Sequence, residues 1–192
     1  MAQSCKIIGL TGGSGVGKGV VCEFLARRGA VIINADAMAH KIILRGGPAY
    51  DEVVARFGHP VLDAADEIDR KKLGAIVFGD KAALGELSRI VHKYVRAQCE
   101  AVIAGLAGKT IVIDAPVLIE AGMKDMCNVV IGIFAEKHLR ISRIMARDGI
   151  SRADALRRIN SQMPDDVLKS HVDIAIDNNG TIEELEGKLD EI

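Results

Sequence analysis

Gly12-Gly13-Ser14-Gly15-Val16-Gly17-Lys18-Gly19 packs five glycines into eight positions. It lies between an apolar run, Cys5 to Leu10, and a segment whose apolar residues, Val20, Val21, Phe24 and Leu25, recur at helical spacing. The stretch therefore reads as a turn joining a buried strand to a helix. Lacking side chains, Gly12, Gly15 and Gly17 reach backbone angles closed to other residues, which turns successive N–H groups inward around an anion. The helix start adds the positive end of its dipole, and Lys18 adds a mobile point charge for the outer phosphates of a nucleotide.

The spacing is that of the Walker A pattern G-x-x-x-x-G-K, with Gly19 where Ser or Thr normally follows the lysine. That hydroxyl ordinarily ligates the Mg2+ bridging the outer phosphates, and glycine has no oxygen to offer. Either a water in its place or weaker metal binding is expected.

The 192 residues carry a formal net charge of -1, which gives no support for a nucleic-acid or membrane surface. The N-terminal apolar run is too short for a signal peptide, and no stretch approaches the ~20 apolar residues of a membrane span. A cytoplasmic protein is the expectation. Cys5, Cys22, Cys99 and Cys127 show no C-x-x-C spacing and read as buried free thiols, while the five histidines are dispersed without metal-ligand spacing.

Ala30 to Ile33 is a second short strand, ending in Asn34-Ala35-Asp36. A polar cluster at the carboxyl end of a strand lies where open α/β sheets bind ligands. Asp36 fits two roles there, the cap of a helix beginning near Ala37 or a catalytic carboxylate, and both stay open on this reading. Met38 to Leu44 leads to the breaker Gly46-Gly47-Pro48, Ala49 to Phe57 is helical, and helical spacing then runs from Asp69 to Leu106. The result is a mostly helical insertion between the second and third strands, larger than a bare nucleotide-binding core needs and suited to a second substrate.

Thr110 to Ile113 is the third strand, ending in Asp114 in the manner of a Walker B carboxylate, which holds Mg2+ directly or through water. Val129 to Phe134, apolar throughout, is a fourth strand buried on both faces. A helix with Arg140, Arg143 and Arg147 follows, then Arg152, Arg157 and Arg158 after Gly149. Such arginines usually form a solvated face, but Arg143 and Arg147 are four apart, on one helical face, and suit gripping phosphates. Val172 to Ile176 is the fifth strand, Asp177 to Gly180 a turn, and Thr181 to Asp190 a final helix opened by Thr181 and Glu184 in capping-box spacing. Strands alternating with helices predict a single five-stranded, doubly wound parallel sheet with helices on both faces.

In this order the motifs resemble those of the dephospho-coenzyme A kinases, a family of P-loop kinases. The likeness covers nearly the whole chain, through Gly9-Leu10-Thr11-Gly12-Gly13, Asn34-Ala35-Asp36 with His40, Gly46-Gly47-Pro48-Ala49 and Arg70 to Phe78. It continues through Asp114 to Glu120, Arg143 to Asp148, Arg158-Ile159 with Gln162, and Ile176 to Gly180. The resemblance implies an α/β fold of the P-loop nucleoside triphosphate hydrolase type. Its core would span about 1–36, 109–140 and 172–192, with a helical acceptor-binding insertion over about 37–108 and an arginine-bearing lid over about 141–171.

The implied reaction moves the γ-phosphoryl group of ATP, with Mg2+, to the 3′-hydroxyl of the ribose in dephospho-coenzyme A. Gly13, Ser14, Gly15, Val16, Gly17, Lys18, Gly19 and Val20 match the phosphate cradle, and Asn178 and Gly180 would lie near adenine. Asp36 matches the second Asp of the family's Asp-Ala-Asp, which accepts or orients the attacking hydroxyl, and Arg143 and Arg147 match its lid arginines. His40, His92 and Asp114 fall to the acceptor, with Asp114 also facing the metal indirectly. Three residues depart from the pattern: Gly19, Asn34 in place of the first Asp, and Lys93 after His92 where proline is usual. The alternatives are another P-loop kinase of small molecules or nucleoside monophosphates, and a nucleotide-binding protein whose catalysis is impaired by Gly19 and Asn34.

Overall fold

The computed structural model describes residues 6–191, so Cys5 lies outside the described residues. In chain order the elements are β1 (Lys6–Thr11), α1 (Lys18–Arg27), β2 (Val31–Asn34), α2 (Ala35–Ile42), α3 (Tyr50–Phe57), α4 (Arg70–Val77) and α5 (Lys81–Ala104). They continue with β3 (Thr110–Asp114), β4 (Val129–Phe134), α6 (Lys137–Asp148), α7 (Arg152–Asn160), α8 (Asp165–Lys169), β5 (Ile174–Asp177) and α9 (Ile182–Asp190). Two compact units result, one of the residues up to Ile33 with those from Leu106 onward, the other Asn34–Gly105.

The first unit holds the expected five-stranded sheet, in the order β2-β3-β1-β4-β5. The β1–β3, β1–β4 and β4–β5 ladders are all parallel. Ile111, Val112, Ile113 and Ile133 are fully buried, which is why these strands read as unbroken apolar runs. Val21 and Phe24 of α1 share a core with Ile8 and Leu10 of β1 and with Leu185 and Leu189 of α9. Each such side chain contributes roughly 1.5–3 kcal/mol by leaving water. The capping box of α9 is present, with Glu184 N–H donating to Thr181 Oγ1 at 3.3 Å and Thr181 N–H to Glu184 Oε2 at 3.0 Å.

The fifth strand begins at Ile174 rather than Val172. Asp173 explains the delay, because its carboxylate accepts the Val130 N–H at 2.7 Å in place of a strand carbonyl. Thiol burial is graded, with Cys99 fully buried and Cys22 and Cys127 half-buried.

In the second unit, Met38 of α2 and Cys99 of α5 meet at 3.7 Å, sulfur to sulfur, and Ile42 is fully buried. The helical stretch expected from Asp69 to Leu106 is two helices. Asp69 Oδ1 accepts the N–H groups of Lys71 and Lys72 at 2.8 and 3.2 Å, and Asp80 Oδ1 those of Ala82 and Ala83 at the same distances. Each Asp thus opens a helix of its own, α4 and α5. Helix α2 begins at Ala35, two residues ahead of the expected start, and its cap is Asn34, whose Oδ1 accepts the Ala37 N–H at 2.7 Å. That corrects the capping role considered for Asp36, which sits inside the first turn.

Candidate active site

The glycine-rich loop of the first unit joins β1 to α1. Gly12, Gly15 and Gly17 have φ of 143°, 80° and 97°, the left-handed region that side chains disfavour. At Gly15 space is short as well, since a Cβ there would stand 2.7 Å from the Arg140 carbonyl oxygen. Gly17 is the N-cap of α1 and has no side chain to offer the first-turn N–H groups, so no side chain caps this helix start. Lys18 Nζ donates to the Gly12 carbonyl at 2.9 Å, within the loop's own curve. Gly19 is exposed, and a Cβ there would meet nothing within 4 Å. Val20 N–H closes the helix start on the Gly17 carbonyl at 3.1 Å.

Asp114 ends β3 opposite Leu10 of β1, so its half-buried carboxylate stands beside the strand that enters the loop. Burial, and after it the charge of Asp114, push the Cys22 thiol up to about 12, so Cys22 stays protonated beside that carboxylate. On the far side of the loop Asn178 is buried, with its Nδ2 donating to the Val16 carbonyl at 2.8 Å. Gly180 lies against the Glu184 carboxylate of the α9 capping box, which fills the space a side chain would need.

Arg143 and Arg147 share a face of α6 but have different surroundings. Arg143 is half-buried, its Nη1 donating to the Asn178 carbonyl at 3.1 Å and, more weakly, to the Gly15 carbonyl at 3.5 Å. Among the described residues no carboxylate pairs with it, so its charge stands uncompensated beside the loop. Arg147 is exposed and forms a fork on Asp148 at 2.7 and 2.9 Å. Asp148 also takes Arg158, and the Arg147 hydrogen bond foremost, with Arg158 adding to it, holds the Asp148 carboxyl at about 2.

Of the predicted residues in the second unit, Asp36 lies exposed in the first turn of α2, and among the described residues no hydrogen bond or ion pair engages its carboxylate. His40, further along α2, lines a cavity of about 660 Å3 with Ile43, Arg70, Leu73, Phe78 and Leu87. Phe78 is 84% exposed there, an unusual cost for an aromatic ring unless something covers it. His92 on α5 is half-buried, and that burial lowers its pKa, leaving a neutral imidazole at pH 7. Lys93 makes an exposed ion pair with Glu52 at 2.7 Å.

Two residues against the loop have no assigned role in the sequence reading: Arg140, which falls in an arginine run that reads as a solvated face, and Gln162, which enters only within a motif of the resemblance. Arg140 is 4% exposed and donates from Nε to the Ser14 carbonyl at 2.9 Å, and Gln162 Oε1 accepts the Ser14 N–H at 2.9 Å. The available signal was position: Arg140 stands four residues before Ile144 and next to Ile141, on the apolar stripe of α6.

A family model described as dephospho-CoA kinase matches residues 6–184. A dephospho-CoA kinase of Geobacter sulfurreducens is 41% identical over 190 residues, covering 97% of this chain and 96% of that protein. Among solved structures, the Thermus thermophilus protein TT1252 superposes with a TM-score of 0.84 at 27% identity, over 98% of this chain and 96% of that one. A dephospho-CoA kinase from Campylobacter jejuni gives a TM-score of 0.65 at 28% identity, over 96% and 95% of the two chains.

Proposed function

Because the chain belongs to the dephospho-CoA kinase family, we propose that it transfers the γ-phosphoryl group of ATP to the ribose 3′-hydroxyl of dephospho-coenzyme A, releasing coenzyme A and ADP. The observation that carries this reading is the loop, in which three left-handed glycines lead into a helix start that no side chain caps, at Lys18. Phosphoryl transfer asks a protein for alignment and countercharge rather than covalent chemistry, because its transition state is loose and its charge lies on oxygens. Each proposed role answers one of those demands.

The loop N–H groups between Gly13 and Gly19, apart from that of Ser14, which Gln162 engages, hold the triphosphate tail together with the Lys18 ammonium; Val20 N–H is spent on the Gly17 carbonyl, and Asn178 and Gly180 flank the base. Arg143 supplies the countercharge on the transferring group, with Arg147 beside it on the proposed lid, the segment 141–171, which keeps water from wasting ATP. Asp36 accepts the hydrogen bond of the acceptor hydroxyl and takes its proton as the new bond forms. The cavity lined by His40, Arg70 and the apolar groups of α2, α4 and α5 suits the pantetheine arm, with His92 of α5 as a further acceptor contact. Asn34 does not argue for impaired catalysis. Its work here is capping α2, which Asp and Asn do equally well.

Mg2+ fits the first unit through the Asp114 carboxylate, directly or through water, since a hard cation that keeps several waters needs few protein oxygens. When bound it would neutralise charge on the outer phosphates. Gly19→Ser returns a hydroxyl at a position with open space. We expect the half-saturating Mg2+ concentration to fall about fivefold, equivalent to ~1 kcal/mol of ligand binding. A titration of initial rate against Mg2+ reads this, and an unchanged midpoint means the metal takes no ligand from position 19.

The reaction itself is tested by ADP release, coupled to a dehydrogenase, with a panel of acceptors. Release with dephospho-coenzyme A and none with nucleoside monophosphates is expected. The reverse pattern would reassign the acceptor.

A further inference from the structure

We propose that Arg140 and Gln162 are positioning residues that hold the Gly13–Gly15 side of the loop in its nucleotide-binding shape. The inference rests on reading the loop as the nucleotide cradle. Arg140 is spent at every nitrogen: Nε on the Ser14 carbonyl at 2.9 Å, Nη2 on Gln162 Oε1 at 3.0 Å, and Nη1 on both Asp165 oxygens at 3.0 and 3.1 Å. Gln162 Oε1 also accepts the Ser14 N–H at 2.9 Å, and its Nε2 donates to Ser14 Oγ at 3.3 Å. Both backbone polar groups of Ser14 are therefore held by side chains that come from elsewhere in the sequence and are bonded to each other.

Gly13 is part of the same arrangement. A Cβ there would stand 2.8 Å from Gln162 Oε1 and would also strike the Arg140 guanidinium, so the clamp closes over a position that has no side chain. Charge separates this arginine from its neighbour. Asp165 neutralises Arg140, whereas among the described residues Arg143 donates to carbonyl oxygens and pairs with no carboxylate. Arg140 therefore acts through geometry, and Arg143 is left to supply charge. A loop fixed in advance loses less entropy when it closes on phosphate, so the clamp contributes to nucleotide affinity rather than to acceptor binding.

The test is calorimetric titration of the full chain with ADP and Mg2+, in Gln162→Leu, Arg140→Met and the double variant. Each single change should weaken ADP about tenfold, the scale of one hydrogen bond to a charged group. The double should be no weaker than the weaker single, because both act through one bridge. In the coupled assay the KM for ATP should rise while the KM for dephospho-coenzyme A stays within twofold of the parent. ADP loss under threefold in either single, or losses that multiply in the double, would overturn the proposal. Gln162 is only half-buried, so its variant decides the matter if Arg140→Met does not fold. ADP binding needs no acceptor, which keeps failure of the clamp distinct from failure of the assigned reaction.

Discussion

Asp36→Asn is expected to lower turnover about 10²- to 10⁴-fold, the range for a lost general base, while ATP binds as before. The substitution keeps size and shape and removes only charge and basicity. The fold depends little on that charge: Asn34 caps α2, no hydrogen bond or ion pair among the described residues engages the Asp36 carboxylate, and its place in the first turn contributes only the helix-dipole term of about 0.3–1 kcal/mol. An exposed acid with so small a structural duty, in the first turn after a strand of the nucleotide-binding sheet, is free to serve a substrate. Turnover at saturating ATP and dephospho-coenzyme A, with ATP affinity measured separately, reads the two effects apart. Turnover within threefold of the parent would leave Asp36 as a solvated side chain with no part in the reaction.

Arg143→Met should cost about 10³-fold in turnover, at the low end of what an arginine on a transferring phosphoryl group contributes. Arg147→Met should cost less than about tenfold. The two arginines look equivalent in the sequence, and their partners distinguish them. Arg147 already forks onto Asp148, an exposed carboxylate that holds Arg158 too, so much of its charge is answered before any phosphate arrives. Arg143 meets carbonyl oxygens of Gly15 and Asn178, and its full charge remains for the nucleotide. Single-turnover rates of the two variants at saturating substrates check the contrast. Equal losses would mean that Arg147 leaves Asp148 in the working enzyme.

What was legible from sequence is what local rules govern. The strand, loop and helix over Lys6 to Arg27 follow from an apolar run, glycine spacing and helical periodicity, and the predicted left-handed glycines are left-handed. The fourth strand matches its apolar run residue for residue because a buried parallel strand has no polar position to blur its ends. Helical periodicity passed over the break at Gly79-Asp80, since it counts apolar residues and does not register a cap. At the start of α2 the sequence pointed to Asp36 as the capping candidate, and the backbone gives that role to Asn34, two positions earlier, because the helix begins at Ala35.

The clamp was the hardest to read. Gln162 and Ser14 are 148 positions apart, and Arg140 belongs to a run of arginines that reads as a solvated face. Long-range side-chain bonds of this kind leave no periodic trace. They come into view only once α6 is seen to turn Arg140 inward with Ile141 and Ile144.

The central claim, that this loop and these side chains move a phosphoryl group from ATP to a ribose hydroxyl, is tested most directly by ³¹P NMR of the protein with ATP, Mg2+ and dephospho-coenzyme A. The prediction is a new phosphomonoester resonance, from phosphorus bonded to the ribose 3′ oxygen, growing in step with ADP. Release of ADP with inorganic phosphate alone, and no phosphomonoester on the acceptor, would contradict it.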